Sequence, residues 1–142
     1  MNGIAVPLFF VAPDEVNIQI PWELAGQTQA SLTVTDSNGT SNAVSVNLVA
    51  FAPAIITLNS AGTGPGAITK PDHSYIGANN PATPSSTVQI NASGLGAVSN
   101  QPSDGLSPSL NTHSNTTTVP SVSIGGISAT VLSSELCPSD YQ

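Results

Sequence analysis

"SLTVTDSNGTSNAVSVNL", from Ser31 to Leu48, is the stretch on which the fold turns. Leu32 and Val34 alternate with Ser31, Thr33 and Thr35, and beyond Asp36-Ser37-Asn38-Gly39 the alternation resumes with Val44, Val46 and Leu48. Apolar residues at every second position mark half-buried strands. Asn-Gly favours the positive φ values of a tight turn, so the stretch predicts an antiparallel hairpin turning at 36–39.

The same period runs outward in both directions. Val16, Ile18 and Ile20 alternate with Asn17 and Gln19, "AIITL" at Ala54 to Leu58 reads as one more strand, and Val88 and Ile90 begin another that ends in a Gly94-Leu95-Gly96 loop. Val122 and Ile124 lead through Gly125-Gly126 to Ala129 and Val131, a second hairpin. No segment has helical periodicity, and 12 prolines with 12 glycines would interrupt any long helix. An all-β, antiparallel sandwich follows. Its expected organisation is a strand group at 1–58, a Gly/Pro/Asn-rich connection at 59–86 and a second strand group at 87–142. Within the connection, Ala67-Ile68 and Tyr75-Ile76 are apolar enough to pack as a short ordered hairpin. Ser99 to Thr118 reads as a long polar loop.

Composition narrows the function classes. At 142 residues the chain supports one ordinary domain or two very small ones, and its 39% hydrophobic content is enough for a core. Only 6% of residues are charged, against about 25% in an average soluble domain. Eight carboxylates face a single cation, Lys70, for a net charge of −7, so no basic patch exists to neutralise phosphates or anionic lipids. Nucleic-acid binding is excluded on this ground, and membrane insertion by the lack of any run near the ~18 apolar residues a span needs. Abundant Ser, Thr, Asn and Gly with almost no Lys is a habit of exported β-rich proteins, so an extracellular or cell-surface location is expected, with any signal peptide outside the sequence shown.

Motifs for catalysis and metal binding are weak. Asp72-His73-Ser74 places three triad residue types side by side, whereas a triad needs them to converge from separate segments, and His113 lies in the polar loop. "GTGPG" at Gly62 to Gly66 lacks the Lys-Ser/Thr and helix of a phosphate loop. Asp14, Glu15, Asp72, Asp104 and Asp140 are scattered and read as solvated turn residues, not a calcium cage. No enzyme activity, cofactor or metal is expected. Asn38, Asn91 and Asn115 each begin an Asn-x-Ser/Thr sequon, and Thr116 and Thr117 suit O-linked sugar. Trp22, the single tryptophan, either packs between sheets or stacks on a sugar together with Phe9 or Tyr75. Cys137, the single cysteine, reads as a small residue at a loop edge or as one half of an intermolecular bridge.

Four stretches carry a family resemblance: "NGIAVPLFFVAPDEVNIQIPWE", "GPGAI", "NPATPSSTVQINASGLGAV" and "VSIGGISATVL". Together they resemble the tandem immunoglobulin-like modules, similar to IPT/TIG domains, that recur in the C-terminal region of large exported acidobacterial proteins. The resemblance implies an immunoglobulin-like β-sandwich; the family supplies no catalytic or ligand residues to carry over. In such modules the "STVQI…GLG…IGG" half precedes the "VNIQIP…hairpin" half. Here the late half, 1–58, comes first and the early half, 87–142, second, and Gly3-Ile4-Ala5 is echoed by Gly126-Ile127-Ser128, with Pro13 answered by Pro138.

Two outcomes are open: the halves fold together as a permuted sandwich, or each half is completed by another copy. Half a sandwich exposes sheet edges that template pairing with another chain. A head-to-tail contact that does not close on itself then builds a filament. Leu8, Phe9, Phe10 and Val11, or Val16, Ile18 and Ile20, are the candidate assembly strands, and the expected function is a non-catalytic, homopolymeric structural subunit of an extracellular or cell-surface filament. The alternative is a carbohydrate-binding or adhesion module, with a glycan ligand, excised from a larger multi-domain exported protein.

Overall fold

A computed structural model describes residues 1–137; Pro138, Asp140 and the rest of the C-terminus lie outside the described residues. Among the described residues the chain is β-rich with antiparallel pairing, and the one helical element is a single 3-10 turn, Trp22–Leu24. No helix among the described residues is long and apolar enough to cross a membrane. The residues form two compact units, one from Met1–Ala50 with the segment that begins at Gly96, the other from Phe51–Leu95.

In the first unit, β1 (Leu8–Val11) turns through Ala12–Glu15 into β2 (Val16–Ile18), with Leu8 opposite Ile18 and Val11 opposite Val16. Phe9 is the extra residue of a bulge between Leu8 and Phe10. The strand expected to include Ile20 ends at Ile18, because Pro21, fully buried, starts the 3-10 turn and cannot donate to a ladder. β3 (Gln29–Leu32) pairs with β6 (Val44–Asn47), and between them β4 (Thr35–Asp36) pairs with β5 (Gly39–Thr40).

The expected hairpin at 36–39 is therefore present, but its turn is centred one residue earlier than an Asn-Gly turn, on Ser37-Asn38. Asp36 Oδ1 accepts from the N–H groups of Asn38 (2.7 Å) and Gly39 (3.1 Å), and the Asn38 side-chain amide donates to Oδ2. That carboxylate clamp favours an Asp-led turn. Gly39 takes up the mismatch at φ +139°, a conformation closed to side-chain-bearing residues. Ladder register consequently shifts by one residue between β4–β5 and β3–β6, which leaves Val34 outside the strands and exposed.

One face of β3–β6 carries the core. Leu24 and Ala30, each only 2% exposed, pack with Met1, and Ile4, Val6, Ile18, Leu32, Val46 and Leu48 close around them. Asn2 fixes the N-terminal segment to the edge of β3 by donating from its N–H to the Ser31 carbonyl (2.8 Å) and accepting the Ser31 N–H on its side chain (2.7 Å).

The second unit is a three-segment ladder. β7 (Ala54–Ile55) and β8 (Ile68–Thr69) pair respectively with β10 (Ala92–Ser93) and β9 (Gln89–Ile90). Asn91, between β9 and β10, donates to the Ala67 carbonyl and accepts from the Ile56 N–H, while the Ala67 N–H donates to Ile56. Part of the connection is thus ordered as the hairpin expected from Ala67-Ile68 and Tyr75-Ile76, with Thr69 bridged to Tyr75 and the Ile76 N–H on the Ile68 carbonyl.

Returning to the first unit, β11 (Val122–Ile124) and β12 (Ile127–Ala129) form the Gly-Gly hairpin in the expected register, Ile124 opposite Ile127, with both glycines at positive φ. The stretch 99–118, expected as a loop throughout, enters pairing at its C-terminal end. Val98 bridges Thr116, Asn115 bridges Glu135, and Ser114 is buried with its hydroxyl on the Asn100 carbonyl.

Two outcomes follow. A Cβ on Gly94 (φ +71°) would stand 2.0 Å from the Ala52 carbonyl oxygen, whereas Gly62, at the same φ, faces open space. Gly94→Ala is expected to cost about 2–4 kcal/mol and Gly62→Ala about 1 kcal/mol in urea unfolding followed by circular dichroism. Second, the Asn38 N–H and then the Asn38 side-chain amide hold the Asp36 carboxyl below its ordinary 3.8. Because the folded value is depressed, the turn's contribution is complete above the unfolded value and fades as pH falls through the folded one, read as loss of the Asn38 and Gly39 amide shifts in an acid NMR titration.

Candidate functional site: an exposed apolar hairpin and a tryptophan cavity

The candidate assembly residues meet in one place. Leu8, Phe9, Phe10 and Val11 on β1 and Val16 on β2 are between 40% and 65% exposed, Ile20 beyond β2 is exposed, and Ile18 alone turns into the core. β1 and β2 were candidate donors to another chain; here they are each other's partner, and each has one laddered neighbour in a two-stranded sheet. A two-stranded ribbon with apolar side chains in water is marginal by itself.

Elsewhere Val34, Val49, Phe51, Ile127 and Leu132 are also more than half exposed.

Trp22 lies at the edge of the same unit. Half-buried in its 3-10 turn, it lines a cavity of about 340 Å³ with Glu23, Gln101, Pro102, Ser103 and Asp104. Asp104 Oδ1 accepts from the Trp22 N–H and from Gln19 Nε2, both at 3.2 Å, and the Gly105 N–H donates back to Gln19 Oε1 at 2.8 Å. These bonds dock the 101–105 loop on the 3-10 turn across more than 80 positions of chain. The indole Nε1 is buried without a protein acceptor among the described residues. Trp22 is half-buried and lines a polar opening. Phe9 is exposed on β1, and Tyr75 belongs to the other unit. Asp104 acquires its role through Gln19 and the Trp22 N–H, and an Asp-Gly pair in a polar stretch carries no signal for such distant partners.

The remaining candidates are dispersed. Asp72 accepts from both the N–H and the hydroxyl of Ser74, so the Asp-His-Ser stretch is a local turn. His113 is 72% exposed and pairs with Glu135 at 2.5 Å. No three His, Cys, Asp or Glu side chains gather among the described residues, and Asp140 lies beyond them. Asn38, Asn91 and Asn115 are exposed; Thr116 and Thr117 donate their hydroxyls to the Ser134 and Ala97 carbonyls, engaging the atoms an O-linked sugar would need. Cys137 is exposed. Comparison of the chain with protein-family models, curated proteins and solved structures finds no match in any of the three.

Asp104→Ala removes the acceptor of the Trp22 N–H in the 3-10 turn and of the Gln19 side-chain amide. It is expected to destabilise the first unit by about 1–2 kcal/mol and to shift the emission of the single tryptophan to the red, measured by fluorescence-detected urea unfolding.

Proposed function

We propose that this chain is a non-catalytic structural subunit of an extracellular or cell-surface filament, in which copies join head-to-tail by strand complementation and so complete immunoglobulin-like sandwiches. The observation that carries the reading is the β1–β2 hairpin: five large apolar side chains stand in water on a ribbon whose strands each have one neighbour. A second copy adding a strand would supply hydrogen bonds along an edge and cover the apolar face, with alternate side chains fixing the register. The scarcity of charge supports the reading, because few ions need to be desolvated where copies touch. The location rests on composition, poor in Lys and rich in Thr, Ser, Asn and Gly.

A second reading, a carbohydrate-binding or adhesion module of a larger exported protein, rests on the Trp22 cavity, whose aromatic wall and Glu23 and Asp104 carboxylates suit a sugar.

Size-exclusion chromatography and negative-stain electron microscopy of the purified chain test the first reading. Polymers are expected for the native sequence. Phe10→Asp should weaken them at least tenfold, since losing an aromatic at the centre of an interface costs about 2 kcal/mol or more. A strictly monomeric native chain whose Trp22 emission is quenched by polysaccharide would overturn the filament in favour of the adhesion module.

A further inference from the structure

Lys70 is the only Lys or Arg in the chain, and it faces an amide. Among the described residues the one close contact of a basic with an acidic side chain joins His113 to Glu135, so the single side-chain ammonium has no carboxylate in direct contact there. Its Nζ donates instead to Oδ1 of Asn80, and both residues are half-buried in the second unit.

Asn80 is held for that contact from every side. Its backbone exchanges hydrogen bonds with Gly77, and its Nδ2 donates to the Tyr75 carbonyl at 2.8 Å and to Ser74 Oγ at 3.2 Å. Ser74 Oγ in turn donates to Asp72 Oδ1 at 2.7 Å, and the Lys70 N–H donates to the Ser74 carbonyl at 3.0 Å. Asp72 is close enough for the Lys70 charge to help hold its carboxyl below the ordinary range, after the larger effect of the Ser74 hydrogen bonds. The amine, the amide carbon one bond beyond Oδ1, the departing nitrogen and a hydroxyl–carboxylate pair therefore lie in one continuous chain of contacts. Proximity of this kind lowers the entropic cost of a reaction between the two groups.

The geometry points to an intramolecular isopeptide bond between Lys70 and Asn80. Lys70 Nζ gives up a proton and bonds to Asn80 Cγ; the Cγ–Nδ2 bond breaks, and Nδ2 leaves as ammonia. Ser74 Oγ accepts from Nδ2 and donates to Asp72, which fixes the plane of the amide; the proton that Lys70 Nζ gives up is the one the departing nitrogen takes, exchanged through solvent. Overall, one side-chain ammonium and one primary amide become one secondary amide and one ammonium ion, with no oxidant or cofactor. The commoner fate of asparagine, attack on its own side chain by the next backbone nitrogen, is closed at Asn80, because Pro81 has no N–H. The bond would close the 70–80 loop covalently and leave the chain without a free lysine.

Intact-mass spectrometry of the purified, folded chain is the test, with fragmentation of a peptic digest to locate any change. The native chain is expected about 17 Da below its sequence mass, the loss of one ammonia, with a branched peptide joining Lys70 to Asn80. Lys70→Arg and Asn80→Ala should each return to sequence mass. A native chain at full sequence mass overturns the proposal, and so does a deficit that persists in Asn80→Ala, which would place the ammonia loss at another asparagine such as Asn38, before Gly39.

Discussion

The contact of Leu24 and Ala30 with Met1 is the constraint on which the first unit depends. A two-stranded ladder supplies hydrogen bonds but no interior, so β3 and β6 need something laid across one face. The 3-10 turn lowers Leu24 onto that face and the N-terminal segment, pinned through Asn2 and Ser31, brings Met1, Ile4 and Val6 over it. Ile18 is drawn into the core from β2, while Leu8, Phe9, Phe10 and Val11 on β1 stay exposed. The exposed apolar ribbon is a consequence of where this small core sits.

Polar side chains replace charge as the fixing elements elsewhere. Asp36 organises one turn, Asp72 and Ser74 another, and Gln19 with Asp104 ties the 101–105 loop to the Trp22 turn. Each of these uses an acceptor to satisfy backbone N–H groups that no strand partner reaches, the requirement that loops must meet when they stop being regular. A chain with one Lys or Arg has few alternatives.

What was legible in the sequence is what is local. Val122 to Ala129 could be read down to its register, because two glycines permit one turn geometry and the alternation on either side has nowhere else to go. Ser31 to Leu48 could be read as a hairpin but not in detail, since the choice between a turn on Asn-Gly and one on Ser-Asn was decided by the Asp36 carboxylate. The Asn91 junction was invisible: Ile56, Ala67 and Asn91 are far apart in sequence, and no periodicity announces that three segments share one residue. Ser114 is the clearest miss, a buried hydroxyl inside a stretch whose composition says solvent. The antiparallel, all-β character followed from pattern, and among the described residues the pairing falls into six two-stranded sheets.

Asn91 has a consequence for how the second unit comes apart. With its N–H on Ala67 and its carbonyl on Ile56, the segment from β9 to β10 cannot peel from one neighbour without loosening the other. The amides of Ile56, Ala67 and Asn91 therefore belong to one opening event and exchange with solvent together, as a single foldon. The β11–β12 hairpin, whose Ile124 and Ile127 side chains are mostly exposed, has no such junction among the described residues and can fray independently.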